Sequence, residues 1–195
     1  MNKDKILFSI IDTISPQSSG AFQRLQRLAI YRDVPKNEIF IKTGKNDHFE
    51  YFVLDGVIRS FLINPDGEEV TISFFAGPSV LSPHVTRTAK NISNLNFQAL
   101  NDTALGMFDA NKFLQLMIED PDVREFGNSV LKNELLQKVS KEIGLASLTA
   151  KERLLKFRED FPGLENLVPQ PTVASYLGIT NVSLSRLRGQ ISRLP

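Results

Sequence analysis

The sequence predicts an α+β chain, made of a β-roll, one long helix and a small helical module, in that order. Three observations predict it. The hydrophobic period is helical up to about residue 29, falls to two between about residues 34 and 108, and becomes helical again after residue 120. Glycine-bearing turns, Asp55-Gly56 and Asn64-Pro65-Asp66-Gly67, punctuate the middle stretch. No proline interrupts residues 122–146. The 195 residues, 42 % hydrophobic and 23 % charged, suffice for one large or two small globular domains. The expected organisation is a β-roll over 1–119, a long helix over 120–146 and a helical module over 147–195.

Taken in order, Leu7, Ile10, Ile11 and Ile14 fall at i, i+3, i+4 and i+7, the spacing of one helix face. Ser15-Pro16 ends that helix, because proline disfavours the helical conformation in the residue before it. Ala21, Leu25, Leu28 and Ala29 mark a second, short helix. Strands follow at 51–54, 57–63, 70–74, 95–100 and 104–108. Val70, Ile72 and Phe74 alternate with Thr71, Ser73 and Phe75, which predicts a strand with one face buried. Pro65 at i+1 and Gly67 at i+3 are the signature of a type I turn. Short strands at this spacing make a compact roll, and the 14 phenylalanines fill its core.

Asp120-Pro121-Asp122 opens the long helix: Asp120 as cap, Pro121 at the first position, Asp122 against the helix dipole. About 26 residues at 1.5 Å each reach on the order of 39 Å, more than a small roll can cover. Val123, Phe126, Val130, Leu131, Leu135 and Val139 form a drifting apolar stripe that continues to Ile143. Burial against a symmetry mate predicts a homodimer joined by this helix. Gly127 and Gly144 weaken it by roughly 1 kcal/mol each relative to alanine.

Thr149 and Glu152 have capping-box spacing and open a helix that Phe161-Pro162-Gly163 stops. Residues 170–189, QPTVASYLGITNVSLSRLRG, then meet the demands of a helix-turn-helix. Small Ala174 stands where two helices cross, and Gly178, four residues on, suits a turn that needs positive φ. Val173, Leu177, Ile179, Leu184 and Leu187 lock the helices together, and Thr180 caps the second. The expected DNA-facing residues are Thr172, Thr180, Asn181, Val182, Ser183, Ser185 and Arg186. Arg186 suits guanine O6 and N7, and Val182 suits a thymine methyl. Thr172 and Ser183 suit phosphate, which positions a protein without reading sequence.

Residues 147–195 carry 7 basic and 4 acidic side chains, and from residue 166 onward there are three arginines and no acid, on a body of slightly negative charge. That asymmetry suits a polyanion partner. With no cysteine, disulfides, thiolate metal sites and cysteine nucleophiles are excluded, and a reducing cytoplasm is expected. Only two histidines, His48 and His84, are present. No phosphate-binding glycine loop and no nucleophile-elbow motif occurs, so no catalytic residue, metal or cofactor is assigned. No apolar run is long enough to span a bilayer.

The order of these elements resembles the Crp/Fnr superfamily (cyclic-AMP receptor protein and fumarate–nitrate regulator) of bacterial transcription regulators. The most specific stretches are Leu54-Asp55-Gly56-Val57-Ile58-Arg59 with the hairpin at Gly67, and Ala174-Ser175-Tyr176-Leu177-Gly178-Ile179-Thr180 with Leu184-Ser185-Arg186. The resemblance implies a cyclic-nucleotide-binding-like β-roll as sensor, a homodimer through the long helix, and a winged helix-turn-helix on double-stranded DNA. A wing would fall near residues 164–168. The resemblance also implies contact with RNA polymerase and a small-molecule effector. Cyclic-nucleotide-binding members clamp ribose and phosphate with a Gly-Glu and an Arg-Ser/Thr pair. Here Leu81-Ser82 and Ser93-Asn94 stand at those places, without the carboxylate or the guanidinium. Tight binding of cyclic AMP is therefore not expected, since a buried cyclic phosphate would be left unpaired. The alternative is a ligand-sensing or protein-interaction module whose helical hairpin does not bind DNA.

Overall fold

The computed structural model describes residues 1–81 and 90–191, which form two compact units. The first comprises residues 1–60 and 74–135, the second residues 61–73 and 136–195. The helix over residues 121–147 contributes to both units, and so does the hairpin around Gly67.

The first unit begins with α1 (Lys3–Ile14) and α2 (Ser19–Leu28), capped by the Asn2 and Ser18 side chains. Among the described residues eight strands follow: β1 (Ile30–Val34), β2 (Ile39–Ile41), β3 (Phe49–Asp55), β4 (Val57–Ile63), β5 (Glu69–Ala76), β6 (Ser79–Leu81), β7 (Asn96–Ala99) and β8 (Thr103–Asp109). They form two four-stranded sheets, β1-β8-β3-β6 and β2-β7-β4-β5. The pairs β1·β8, β3·β8 and β3·β6 are antiparallel, with Ile30 opposite Met107 and Phe52 opposite Gly106. Gly56 makes the β3–β4 turn possible for two reasons. Its φ is +98°, and a Cβ there would lie 2.5 Å from Thr103 Oγ1 and 2.9 Å from the Asp102 carbonyl oxygen. The turn at Gly67 forms as expected, its N–H donating to the Asn64 carbonyl at 3.0 Å.

Two further helices close this unit. The sequence reading assigned nothing to α3 (Ala110–Glu119), which Asp109 caps by accepting from the Lys112 N–H at 3.0 Å. Phe113, Leu116 and Met117, at i, i+3 and i+4, turn to the core, a helical spacing that the sequence carries. Leu116 is buried, while Leu114 and Ile118 are exposed. Next, α4 (Pro121–Ser147) starts where predicted, with the Asp122 N–H donating to Asp120 Oδ1 at 3.0 Å. Asp120 is buried and receives Arg24 Nε at 2.9 Å. Burial alone would raise its pKa, but Arg24 and the helix N–H groups outweigh that and hold the carboxyl below its ordinary value.

The core corrects the expected dimer stripe. Val123 and Phe126 are buried at 0 % and 1 % exposure in one cluster with Leu7, Ile11, Leu25, Phe52 and Phe108. Val130 packs against the same cluster. The first turns of α4 therefore serve the chain's own core. Their apolar residues complete a seam left by α1, α2 and α3, which period alone could not reveal. Gly127 belongs to that packing, since a Cβ there would strike the Met117 side chain at 2.4 Å. Beyond Val130 the stripe is uncovered: Leu131, Leu135, Leu136, Val139 and Ile143 are all exposed.

The second unit holds the hairpin tip at 61–73, the rest of α4, α5 (Ala150–Asp160), α6 (Leu164–Leu167), α7 (Gln170–Tyr176) and α8 (Asn181–Ile191). The capping box at Thr149 forms with both hydrogen bonds. Residues 164–167 are a helical turn, which corrects the expected wing. Leu164 is buried, and Glu165 binds Arg158 of α5 and Arg188 of α8, so the segment folds against those helices. The alternation in β5 is also corrected: Thr71 is 1 % exposed, while Val70 and Ile72 are half-buried.

Candidate nucleic-acid interface

Helix α7 ends because Leu177 and Gly178 close it. The Leu177 N–H reaches the Val173 carbonyl at 3.1 Å, the Gly178 N–H the Ser175 carbonyl at 3.2 Å, and the Ile179 N–H the Ala174 carbonyl at 3.0 Å. Gly178 has φ +66°, the left-handed conformation that ends a helix most cheaply with glycine. A Cβ there would meet only ordinary contact at 3.5 Å, so the demand is on the backbone angle rather than on space. Thr180 then caps α8, its Oγ1 accepting from the Ser183 N–H at 3.2 Å. Val173, Ala174, Leu177 and Leu184, at 0 %, 3 %, 2 % and 0 % exposure, lock α7 to α8. Of the other expected locks, Ile179 and Leu187 are half-buried.

Two supports of this unit escaped sequence reading. Arg153 donates from Nε to the Leu177 carbonyl at 2.9 Å and from Nη1 to the Leu148 carbonyl at 2.7 Å. It thereby satisfies the ends of α7 and α4, where carbonyls lack helical partners. Glu165 accepts from Arg158 Nε at 2.5 Å and Arg188 Nε at 2.6 Å. Burial pushes the Glu165 carboxyl up, but the two guanidinium groups outweigh it and hold it below its ordinary value. Arg188 is thus engaged within the fold. The longer links, Arg153 to Leu177 and Arg188 to Glu165, span 24 and 23 residues and leave no periodic trace.

The outer face of α8 carries most of the expected contact set. Thr180, Asn181, Val182, Ser185 and Arg186 are exposed, and Ser183 is half-buried. Among the described residues Arg186 makes no ion pair or side-chain hydrogen bond, so its five donors are available. Thr172 is the exception and a correction. It is 6 % exposed inside the unit, and its carbonyl accepts from Ser175 Oγ at 3.0 Å. A buried side chain on α7 cannot meet a phosphate in this state.

Three of the four residues expected at the clamp positions lie among the described residues. Leu81 is a core residue at 0 % exposure. Ser93 is buried and self-contained: its Oγ donates to the Leu95 carbonyl at 2.7 Å, in a turn that also pairs with Lys45. Asn94 is exposed, and Ser82 lies outside the described residues, as does His84. Arg59 is a buried guanidinium of the described roll, its Nε donating to Gln98 Oε1 at 2.8 Å across strands β4 and β7. No group of three or more metal-ligating side chains occurs among the described residues. None of the described helices is long and apolar enough to cross a membrane.

The family model for the cyclic nucleotide-binding domain matches residues 31–120, which run from β1 through α3. No curated protein matches the chain in sequence. Solved structures match it over most of its length. FixK2 from Bradyrhizobium japonicum is 20 % identical, with a TM-score of 0.72 over 84 % of each chain. CLP from Xanthomonas campestris, described as a c-di-GMP-responsive global regulator, is 15 % identical, with a TM-score of 0.70 over 90 % of this chain and 92 % of its own. A CooA variant from Carboxydothermus hydrogenoformans is 21 % identical, with a TM-score of 0.68 over 94 % of this chain and 84 % of its own. At these identities the likeness is one of fold.

Proposed function

From a chain that has the fold of the Crp/Fnr regulators, with a cyclic nucleotide-binding-type domain over residues 31–120, we propose a cytoplasmic, homodimeric transcription regulator that reads double-stranded DNA without cyclic nucleotide. The observation that carries this reading is the outer face of α8. A capped helix, locked to α7 through a left-handed Gly178, presents Asn181, Val182, Ser185 and an unengaged Arg186 along one exposed side. Such a helix suits the major groove, with its first turns at the base edges. Arg186 donates two hydrogen bonds to guanine, Val182 lies against a thymine methyl, and Asn181 bonds an adenine or a phosphate. Thr180 and Ser183, at the helix start, position the module on phosphate.

The uncovered part of α4 supports the dimer. Leu131, Leu135, Val139 and Ile143 repeat every four residues, with Leu136 beside them, and all are exposed in the single chain. Covering such side chains stabilises by roughly 1.5–3 kcal/mol for each one fully buried. A second α4 provides a self-complementary surface about a two-fold axis. Two α8 helices then address half-sites about 34 Å apart, one turn of the duplex. The internally satisfied Ser93 and the apolar Leu81 argue against a cyclic phosphate in the roll. The effector is then a different small molecule, and RNA polymerase is the partner through which bound protein acts.

Selection of bound fragments from a genomic DNA pool defines the operator. Arg186→Ala is then expected to lose affinity for it and to lose preference at one base pair in each half-site, roughly 1–3 kcal/mol of discrimination. Unchanged affinity and selectivity would transfer the reading to the alternative, a sensing or interaction module without DNA binding. Calorimetry with cyclic AMP and cyclic GMP is expected to show no micromolar binding.

A further inference from the structure

We propose that the tip of the β4–β5 hairpin is a latch on the reading module: docked as in this structure it restrains α7, and its release raises DNA affinity. This inference rests on the DNA-reading function proposed above. Tip and module lie in the same compact unit.

The contact is built from adjacent residues on each side. Thr71 donates its backbone N–H to Ser175 Oγ at 3.2 Å, and the two hydroxyl oxygens lie 3.0 Å apart. Ser175 Oγ also lies 3.0 Å from the Thr172 carbonyl. Its single proton goes to one of these acceptors, and the Thr71 hydroxyl can supply the other bond. One residue along on each element, Lys141 of α4 bridges the same two partners. Its Nζ donates to the Ile72 carbonyl at 2.5 Å and stands 3.9 Å from the centroid of the Tyr176 ring. Thr71 and Ile72 of the hairpin are thus held to Ser175 and Tyr176 of α7, directly and through one lysine.

The chemistry of the contact suits a device that opens. Apart from the Tyr176 ring face, every group in it is polar or cationic and exchanges its partner for water at little net cost. An apolar seam would instead expose hydrocarbon on opening. Thr71 is 1 % exposed, whereas its neighbours Val70 and Ile72 on the same strand are half-buried. In the same state Thr172 is 6 % exposed, although it stands in the first turn of α7, where a helix-turn-helix meets phosphate. The docked hairpin engages the Ser175 hydroxyl, which also lies against the Thr172 carbonyl. Strands β4 and β5 continue from the tip into the roll, so a change in the roll reaches the latch along the backbone.

The chain contains no cysteine, so Thr71→Cys with Ser175→Cys creates a single pair. The full-length protein is oxidised and its binding to the selected operator compared with the same protein reduced. Thr71→Val serves as the released form. Oxidation is expected to cross-link the pair and weaken operator binding at least about tenfold, within the 5–150-fold usual for coupled sites. Thr71→Val is expected to bind more tightly than the parent. Amide exchange of residues 172–177 is expected to be slowest in the cross-linked form and fastest in Thr71→Val. An oxidised form that binds DNA as tightly as its reduced form overturns the latch. So does a pair that fails to cross-link while α7 exchanges equally in parent and Thr71→Val. If no form binds DNA, the DNA-reading proposal fails by itself, and the exchange rates alone decide whether the hairpin holds α7.

Discussion

Phe126 and Leu135 lie on the same helix and the same apolar stripe, yet replacing them should damage different things. Phe126 is 1 % exposed, with its ring stacked at 6.3 Å from Phe52 and edge-on at 6.1 Å from Phe113. Phe126→Ala leaves a cavity among side chains that cannot all move in, a change that costs about 3–5 kcal/mol. At about 2–4 °C per kcal/mol for a chain of this size, the melting temperature should fall by roughly 6–20 °C. Leu135 is 64 % exposed. Leu135→Glu should leave the folded protomer within about 0.5 kcal/mol, as exposed substitutions do. In a dimer through α4 it buries one unpaired carboxylate per protomer, each costing several kcal/mol. Dissociation should then rise by at least about a hundredfold, since each 1.4 kcal/mol is tenfold. Thermal melts and sedimentation velocity over a range of concentrations separate the two effects. A Phe126→Ala protein that keeps the parent's melting temperature but sediments as a monomer would refute the assignment. A Leu135→Glu protein with an unchanged dissociation constant would refute the interface.

Gly178→Ala forces a Cβ into φ +66°, which costs about 1–2 kcal/mol without any clash, and urea unfolding of the full chain should register that loss. Asp120 has its carboxyl below the ordinary range, so its contribution is present above the unfolded carboxylate pKa and lost as pH falls through the folded value. Acid titration of stability should therefore be steeper in the parent than in Asp120→Asn. Lys141 runs the other way from a lysine that gains a carboxylate: burial, and then the Lys138 charge, push it down to about 8. Its unfolded form binds the proton more tightly, so stability should rise between pH 8 and 10 and flatten below 8. Lys141→Met should remove that slope in urea unfolding at pH 7.5 and 9.5.

Local signals were legible because their causes are local. The Asp120-Pro121-Asp122 start, the Thr149 capping box, the Gly67 turn and the Gly178 turn each depend on residues within a few positions of one another. The α8 face was legible for the same reason: an exposed helix surface is what remains once Val173, Ala174, Leu177 and Leu184 are assigned to the seam. The clamp residues were legible only as absences, and Arg59 with Gln98, a polar pair that joins two strands of the roll, is made by residues 39 positions apart. The segment at 164–167 was misread because its helical turn is held by Arg158 and Arg188, whose pairing with Glu165 has no spacing rule.

By itself, then, the sequence determined the order of roll, long helix and helical module, the turns and caps between them, and the outward face of α8. Those follow from period and from backbone preferences that act over one or two turns. Tertiary structure alone decided which part of a continuous apolar stripe is core and which is free. Val123 is buried because α1, α2 and α3 leave a seam for it, whereas Leu135, twelve residues on, meets no such neighbours. It likewise decided that Thr71 and Thr172 are buried. Thr71 meets its partner Ser175 only after 104 intervening steps of chain, a distance over which no local pattern carries information and only packing does.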